Sequence, residues 1–549
     1  MTRDSKTIFD HAATAAKVIC VIILFVMAPG VLRRRTYLVV LQMVHNGLYD
    51  NAMLQFASTL MATLSICILP FIRSGAIRIP LAILFVVSYI IEATYFAATD
   101  QVLNVAMAQA VWLLRGTALD SFSLYFPLLI RSSWWLLPVA FIFALRPPLR
   151  YFVSAWCALV PAGAFGLVAA TILYSQGRLQ SFPAAIGVPV KFAIAYAISD
   201  PAAAAARVKV DYPGDIKANA DHVVFIIDES VRGDVLGFNG ATPDNTPFLS
   251  RHQEQLINFG VAVAGANCSI VSRPMLRFGV RPNDVDTLSS TGYTRPSIWS
   301  YAHRAGYRTI LIDPFRDKTT YLNGGEWPAI DEYIDLTDPL RAQRDAVIAE
   351  KVIELLKDSR PSFIYVNKSG VHFPYEGNYP SDFDPFPKIA DEADQNARTE
   401  MRRTYNNAIS WSVDRFFQTL LSSSDLSNAF VIYTSDHGQS LLDGGQKQSH
   451  CSQTKAQTGE GLVPMLAATT MEPLAKTLRA NAARAPNRAT HFDIFPTLLV
   501  AMGFDRQWVE QSYGPSLLDL PVDRRRRFLL FGGSDLGGLF SHPAWQSVD

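Results

Sequence analysis

The spacing of its apolar runs limits this chain most. Four stretches, 53–73, 79–98, 127–146 and 154–174, are each long enough to carry a helix across a bilayer, which takes roughly 20 apolar residues. A fifth, Ala12 to Leu32, holds Lys17 as its only charge. It lacks a small-residue cleavage site and further spans follow it, so it reads as an anchor rather than a signal peptide. One such run would suit a buried core helix. Five in series predict a multi-span α-helical membrane domain over residues 1–175.

Basic loop residues set the expected orientation. Arg73 and Arg78 flank one loop, Arg146 and Arg150 another, and both are expected inside. The loop from about 99 to 126 carries Asp100, Asp120 and a single basic residue, Arg115, and is expected outside. The last span then delivers the polar half to the outer, periplasmic side. Arg33 to Arg35 run against this scheme, and the apolar stretch Thr36 to Asn46 leaves room for a sixth, short span. Residues 176–215 are expected to connect the halves, with Phe182 to Ala197 as an amphipathic helix in the interface and Pro201 with its alanine run as linker. A net charge of +1 without a basic stripe argues against a nucleic-acid partner.

From residue 216 to 549 the composition is that of a globular domain. Apolar, β-prone runs alternate with helical patterns, which predicts an α/β domain with a mostly parallel sheet covered on both faces. The expected strands are 222–227, 259–266, 309–312, 363–366, 431–433 and 462–468; the expected helices include 296–305, 341–356, 404–421 and 494–502. Chemistry-bearing residues recur where these strands end. Asp228 and Glu229 follow the first, although Asp and Ser there also suit a helix cap. Ser269 follows the second, with Arg273 after it, as suits a nucleophile beside an anion-binding group. Asp313, His372 and the pair Asp436-His437 follow later strands. Carboxylate oxygen with neutral imidazole nitrogen is a donor set for zinc, or for manganese. In an open α/β sheet the carboxyl ends of the strands form one edge, where ligands bind. One shared site is expected there.

These stretches resemble the sulfatase-like, alkaline-phosphatase superfamily, and particularly its membrane-anchored phosphoethanolamine transferases acting on lipid A. The likeness covers about 222–503. Ser435-Asp436-His437-Gly438-Gln439-Ser440-Leu441, Glu229-Ser230-Val231-Arg232 with Asn239-Gly240, and Thr246-Pro247-Phe248-Leu249 carry it, with Ser369-Gly370-Val371-His372-Phe373-Pro374, Tyr379-Pro380 and Val463-Pro464-Met465-Leu466. The resemblance implies a zinc ion held by Glu229, Ser269, Asp436 and His437. Ser269 is then also the nucleophile, standing where the family has threonine. His372 and His450 match the family's further active-site histidines, which bind phosphate or a second metal or protonate the leaving alkoxide. The His491–Asp493 stretch matches a family pattern of less certain role. The chain departs from the family at Gln439, where glutamate is usual, at Asp228, where glycine is usual, and in lacking most of the family's cysteine pairs. Cys268 adjoins Ser269 and Cys451 adjoins His450; if both flank one site they could form a disulfide, and the sequence leaves open whether they pair or stay free.

The implied reaction moves a phospho-headgroup from a phospholipid donor to an envelope glycolipid or glycan acceptor through a covalent Ser269 intermediate. Two other readings stay open. One is a sulfatase or phosphodiesterase; the run Ser269-Ile270-Val271-Ser272-Arg273 fits the sulfatase nucleophile motif except that Val271 replaces proline. The other is a catalytically inactive membrane protein that binds lipid headgroups.

Overall fold

The computed structural model describes residues 3–27, 40–41, 43–113, 118–148, 152–175, 177, 179–198, 208–287, 295–315, 326–386, 397–453, 456–531 and 544–549. The chain divides into two compact units, Met1–Ser199 and Asp200–Asp549.

The first unit is helical: α1 (Arg3–Met27), α2 (Tyr49–Ile68), α3 (Gly75–Thr99), α4 (Val105–Leu113), α5 (Ala118–Ser133), α6 (Leu136–Ala144), α7 (Leu159–Tyr174) and α8 (Ala184–Ile198). Three helical stretches, Tyr49–Phe71, Gly75–Thr99 and Ala155–Tyr174, are long and apolar enough to cross a membrane. The run expected at 127–146 is broken instead. Its halves, Tyr125–Ser133 and Leu136–Ala144, meet at 59° and make a fourth span if counted together. The run Ala12 to Leu32 begins inside α1, but residues 28–32 lie outside the described residues, as do Arg33 to Arg35, residues 36–39 and 42, Arg115 and Arg150. The expected outward loop is largely helical, because the apolar stretch Val105–Leu113 finds cover against α8. The helix expected to lie apart as a connector, α8, packs on α3, α4 and α7 and so belongs to this unit. Pro201 and its alanine run lie outside the described residues.

The second unit is built on a seven-stranded sheet of order β2-β7-β6-β1-β5-β3-β4. The strands are β1 (His222–Asp228), β2 (Ile257–Val263), β3 (Arg308–Asp313), β4 (Glu332–Asp335), β5 (Ser362–Asn367), β6 (Ala429–Ser435) and β7 (Leu462–Ala468). β7 runs antiparallel to both neighbours, while the β6-β1-β5-β3-β4 pairings are all parallel. β1 shows why a continuous apolar run is needed at the centre. Val223, Phe225 and Ile227 enter one core with Trp299, Phe495 and Leu498; Val224 and Ile226 enter the other with Ile348, Val352 and Phe416. Alternate side chains of a strand point to opposite faces, so a strand covered on both must be apolar at every position.

Three local expectations need correction. β2 ends at Val263, because beyond it the chain leaves β7 and bonds to Leu529 instead, whose N–H donates to Gly265 O and whose carbonyl accepts from the Asn267 N–H. β4 was not anticipated; its Glu-Tyr-Ile-Asp sequence is short and half charged. The helix expected over 404–421 is interrupted by a π turn, Ser410–Asp414, between Ala397–Ile409 and Arg415–Ser423. There the Ser412 carbonyl accepts from Lys368 Nζ at 2.7 Å, and the Asp414 carboxylate accepts from the N–H groups of Phe248 and Leu249, each at 3.0 Å. Such turns are rare and tend to mark functional regions.

Candidate metal centre and nucleophile

β1 and β6 are adjacent and parallel, with Asp228 level with Ser435. Their next residues, Glu229 and Asp436, therefore leave the sheet side by side. Ser230 fixes the junction at φ +64°, a left-handed conformation that costs a non-glycine residue about 1–3 kcal/mol. In return its N–H donates to Asp436 Oδ1 (3.1 Å) and its hydroxyl to Glu229 Oε1 (2.7 Å). Gly370, at φ +61°, presses on this junction: a Cβ there would lie 2.6 Å from the Glu229 backbone.

The remaining donor comes from farther away. After β2 the chain crosses to Asn267, whose Nδ2 donates to Ser452 O (3.0 Å) and Glu460 Oε2 (2.8 Å). Ser269 then opens the helix Ser269–Phe278 rather than standing in a loop. Its Oγ lies 3.1 Å from His437 Nε2. His437 Nδ1 is 2.7 Å from the Gly438 carbonyl, which can only accept. Nδ1 therefore carries the proton, and the Nε2 lone pair faces the cluster.

Glu229, Asp436 and His437 are buried and bring one ligand atom each within 4.8 Å of one another. His437 Nε2 is 3.7 Å from Glu229 Oε1 and 3.8 Å from Asp436 Oδ1. Ligand atoms of a tetrahedral zinc, at bonds of about 2.0–2.1 Å, stand about 3.3 Å apart. The spacings, and a donor set of two carboxylates, an imidazole and a hydroxyl, fit such an ion with little adjustment.

Arg273 occupies the outer side of the carboxylates. It lies one helical turn after Ser269 and donates to Glu229 Oε2 (2.8 Å), Asp436 Oδ2 (3.0 Å) and Asn367 Oδ1 (2.9 Å). The expected anion-binding arginine is thus spent on the carboxylates themselves, leaving their other oxygens turned toward His437. Burial would raise the Asp436 carboxyl, but electrostatic attraction from the His437 ring and the Arg273 guanidinium and hydrogen bonds from Ser230 and Ser269 hold it well below the usual range. Asp313, also expected at this edge, stays out of the three-residue cluster. It accepts from the Phe315 N–H and from Asn367 Nδ2, and burial pushes it up to about 7 against the pull of Arg273.

The two further histidines gather over His437. The His450 ring stacks on His437 at 4.5 Å, and the His372 ring meets His450 edge-on at 5.8 Å. Desolvation lowers the pKa of both, most strongly at His450; His372 keeps solvent contact, which screens the effect. A disulfide joins Cys268 to Cys451 and so ties the residue before Ser269 to the residue after His450. His491 does not join the cluster. It is buried, and its Nε2 lies 2.9 Å from the Ser435 carbonyl, bracing the end of β6.

Two features behind the site escaped the sequence reading. Lys368 is fully buried, with Nζ 2.5 Å from Asp228 Oδ2, and Tyr433 donates to the same oxygen at 2.8 Å. Asp228, the departure from the family's glycine, thus has its own counter-charge. The available signal was a lysine two residues after the apolar run Phe363 to Val366. Gln439, the other departure, is buried with neither side-chain amide atom hydrogen-bonded among the described residues.

A mostly parallel sheet with carboxylates, an imidazole and a hydroxyl gathered at its carboxyl edge offers a donor set that suits a divalent metal ion, placed where α/β proteins bind ligands. The chain belongs to the sulfatase family, whose model matches residues 221–504. It is similar to a Kdo(2)-lipid A phosphoethanolamine 7''-transferase of Escherichia coli, 23% identical over 240 residues, 42% of each chain. The corresponding protein of Salmonella typhimurium is 21% identical over 245 residues, again 42% of each chain. The match therefore spans less than half the length of these curated relatives. Among solved structures, the integral membrane lipooligosaccharide phosphoethanolamine transferase A of Neisseria meningitidis superposes with a TM-score of 0.58 at 18% identity, covering 89% of this chain and 95% of that one. What the two share at that identity is the fold.

Proposed function

We infer that this protein is a metal-dependent transferase that moves phosphoethanolamine from a membrane phospholipid to a lipid A-type glycolipid, its catalytic unit facing the periplasm of a bacterial inner membrane. The observation that carries this is the convergence of Ser269 Oγ, Glu229, Asp436 and His437 Nε2 in a chain that also has several apolar helices of spanning length. The names of the relatives support the choice of group and acceptor. In this reading Glu229, Asp436, His437 and Ser269 hold zinc, with manganese as the other ion the donors suit. An ion held by these residues would lower the pKa of the Ser269 hydroxyl and polarise a phosphoryl oxygen.

Ser269 Oγ attacks phosphorus, and the bond to the diacylglycerol oxygen breaks. The proton lost by Ser269 returns on that oxygen through His450 and His372, whose lowered pKa values leave them neutral and free to accept it. Phosphoethanolamine is then held on Ser269. In the second displacement the same histidines take the proton of the acceptor hydroxyl, and Ser269 leaves as it arrived. Arg273 keeps the carboxylates in place throughout.

The test uses the full chain in vesicles with phosphatidylethanolamine labelled in its headgroup and lipid A as acceptor. Label on lipid A, absent with Ser269→Ala, supports transfer. Label released only as free phosphoethanolamine makes the protein a hydrolase, and no turnover by metal-loaded protein sinks the enzyme reading.

A further inference from the structure

The helical unit contains a cavity of about 600 Å³ lined by Arg73, Ser74, Arg78, Arg146, Phe152 and Ser154, among others. It lies where α2 ends and α3 begins, so at the depth of one membrane face. Its walls are clamped together by backbone: Val153 N–H donates to Phe71 O (2.9 Å), and Arg73 N–H to Val153 O (3.2 Å). The charge is one-sided. Arg78 is 3% exposed; it donates to the carbonyls of Ile72 (2.6 Å), Arg73 (3.1 Å) and Ala144 (3.0 Å), yet its Nε–H is buried with no acceptor among the described residues. Lys17, also buried, donates to the neighbouring carbonyls of Ile142 and Leu145, each at 2.7 Å. Arg73 lies over the Phe152 ring at 5.0 Å, and Arg146 is exposed. No carboxylate pairs with any of these four cations among the described residues. Ser74, the residue that opens the 25-residue α3, makes no capping hydrogen bond, so the positive end of that helix also faces this region.

We propose that this cavity binds the phosphate group of an anionic phospholipid. Two of the four cations, Lys17 and Arg78, are buried, and a buried charge is costly unless an opposite charge compensates it. Between helices at headgroup depth the anion within reach is a lipid phosphate, and basic pockets in such places recognise anionic headgroups. Arg73 and Arg146, at the mouth, would grip the phosphate oxygens. Arg78 would supply its unused N–H, and Phe152 would lie along the glycerol and first methylenes. The site is distinct from the Ser269 cluster, and its ligand need not be a substrate.

The full chain is placed in nanodiscs of phosphatidylcholine with increasing phosphatidylglycerol, and amide hydrogen exchange is followed at residues 71–79 and 144–156. Phosphatidylglycerol should slow exchange there in a saturable way. Arg73→Gln with Arg146→Gln should raise the half-saturating fraction about 30-fold, at about fivefold per basic residue. Arg73→Lys with Arg146→Lys should restore most of it, which separates lost charge from lost folding. Equal protection in phosphatidylcholine alone, or an unchanged midpoint in the Gln pair, overturns the proposal. Full protection by inorganic phosphate in phosphatidylcholine discs overturns the assignment to lipid.

Discussion

Arg273→Met isolates the electrostatics of the site. The side chain is 0% exposed and its guanidinium is shared by Glu229 and Asp436, which are themselves 1% and 0% exposed. Methionine keeps much of the volume and leaves two buried carboxylates unpaired. Removing one partner of a buried ion pair costs about 3–5 kcal/mol, or a fall in Tm of roughly 4–7 °C for a domain of this size. That holds for the metal-free protein. With zinc present, the inner oxygens of the same carboxylates face the ion, and what remains is the loss of charge-assisted hydrogen bonds, about 1.5–3 kcal/mol. The variant should therefore lose clearly more stability after chelation than after zinc loading, while the parent differs less between the two. Thermal melts of the full chain in detergent, chelated and zinc-loaded, measure all four values. An equal shift with and without zinc would refute the idea that Arg273 and the ion neutralise the same two carboxylates.

Three further outcomes are expected. His491 is buried and desolvation lowers its pKa to about 4 from 6.5. A depressed folded pKa means its contribution, about 3 kcal/mol, is present above pH 6.5 and lost as pH falls through 4; His491→Gln, which keeps an N–H for Ser435, should flatten Tm against pH over that window, and an unchanged slope would exclude His491 as its source. Alkylation without reduction should label at most Cys20, Cys67 and Cys157, and reduction should add two sites; five labels before reduction would mean that Cys268 and Cys451 are not paired. Asp436→Ala should remove the metal, whereas His372→Ala should slow turnover with metal content intact; metal analysis of both separates a ligand from a proton carrier, and metal loss in the second would move His372 into the ligand set.

The apolar runs and the ends of β1 and β6 were legible because their physics is local. A bilayer demands a fixed length of apolar chain, and a strand buried on both faces demands an unbroken apolar run that stops where polar residues leave the sheet. Glu229 and Asp436-His437 follow directly from that, and the parallel pairing of β1 with β6 makes them neighbours. The break at Trp134-Trp135 was not legible, since both halves are as apolar as a continuous span. Nor was the π turn at Ser410–Asp414, which tertiary partners hold in place.

By itself, then, the sequence determined a helical membrane half, an α/β half, and which side chains stand at the strand ends. Only the tertiary structure decided how they face one another. It turned Arg273 onto the carboxylates, set His437 Nε2 toward Ser269, stacked His450 above it, joined Cys268 to Cys451 and left Asp313 and His491 outside the cluster. The reason is distance along the chain. Ser269 and His437 are 168 residues apart, and no local propensity records which way two such side chains point until the sheet between them has closed.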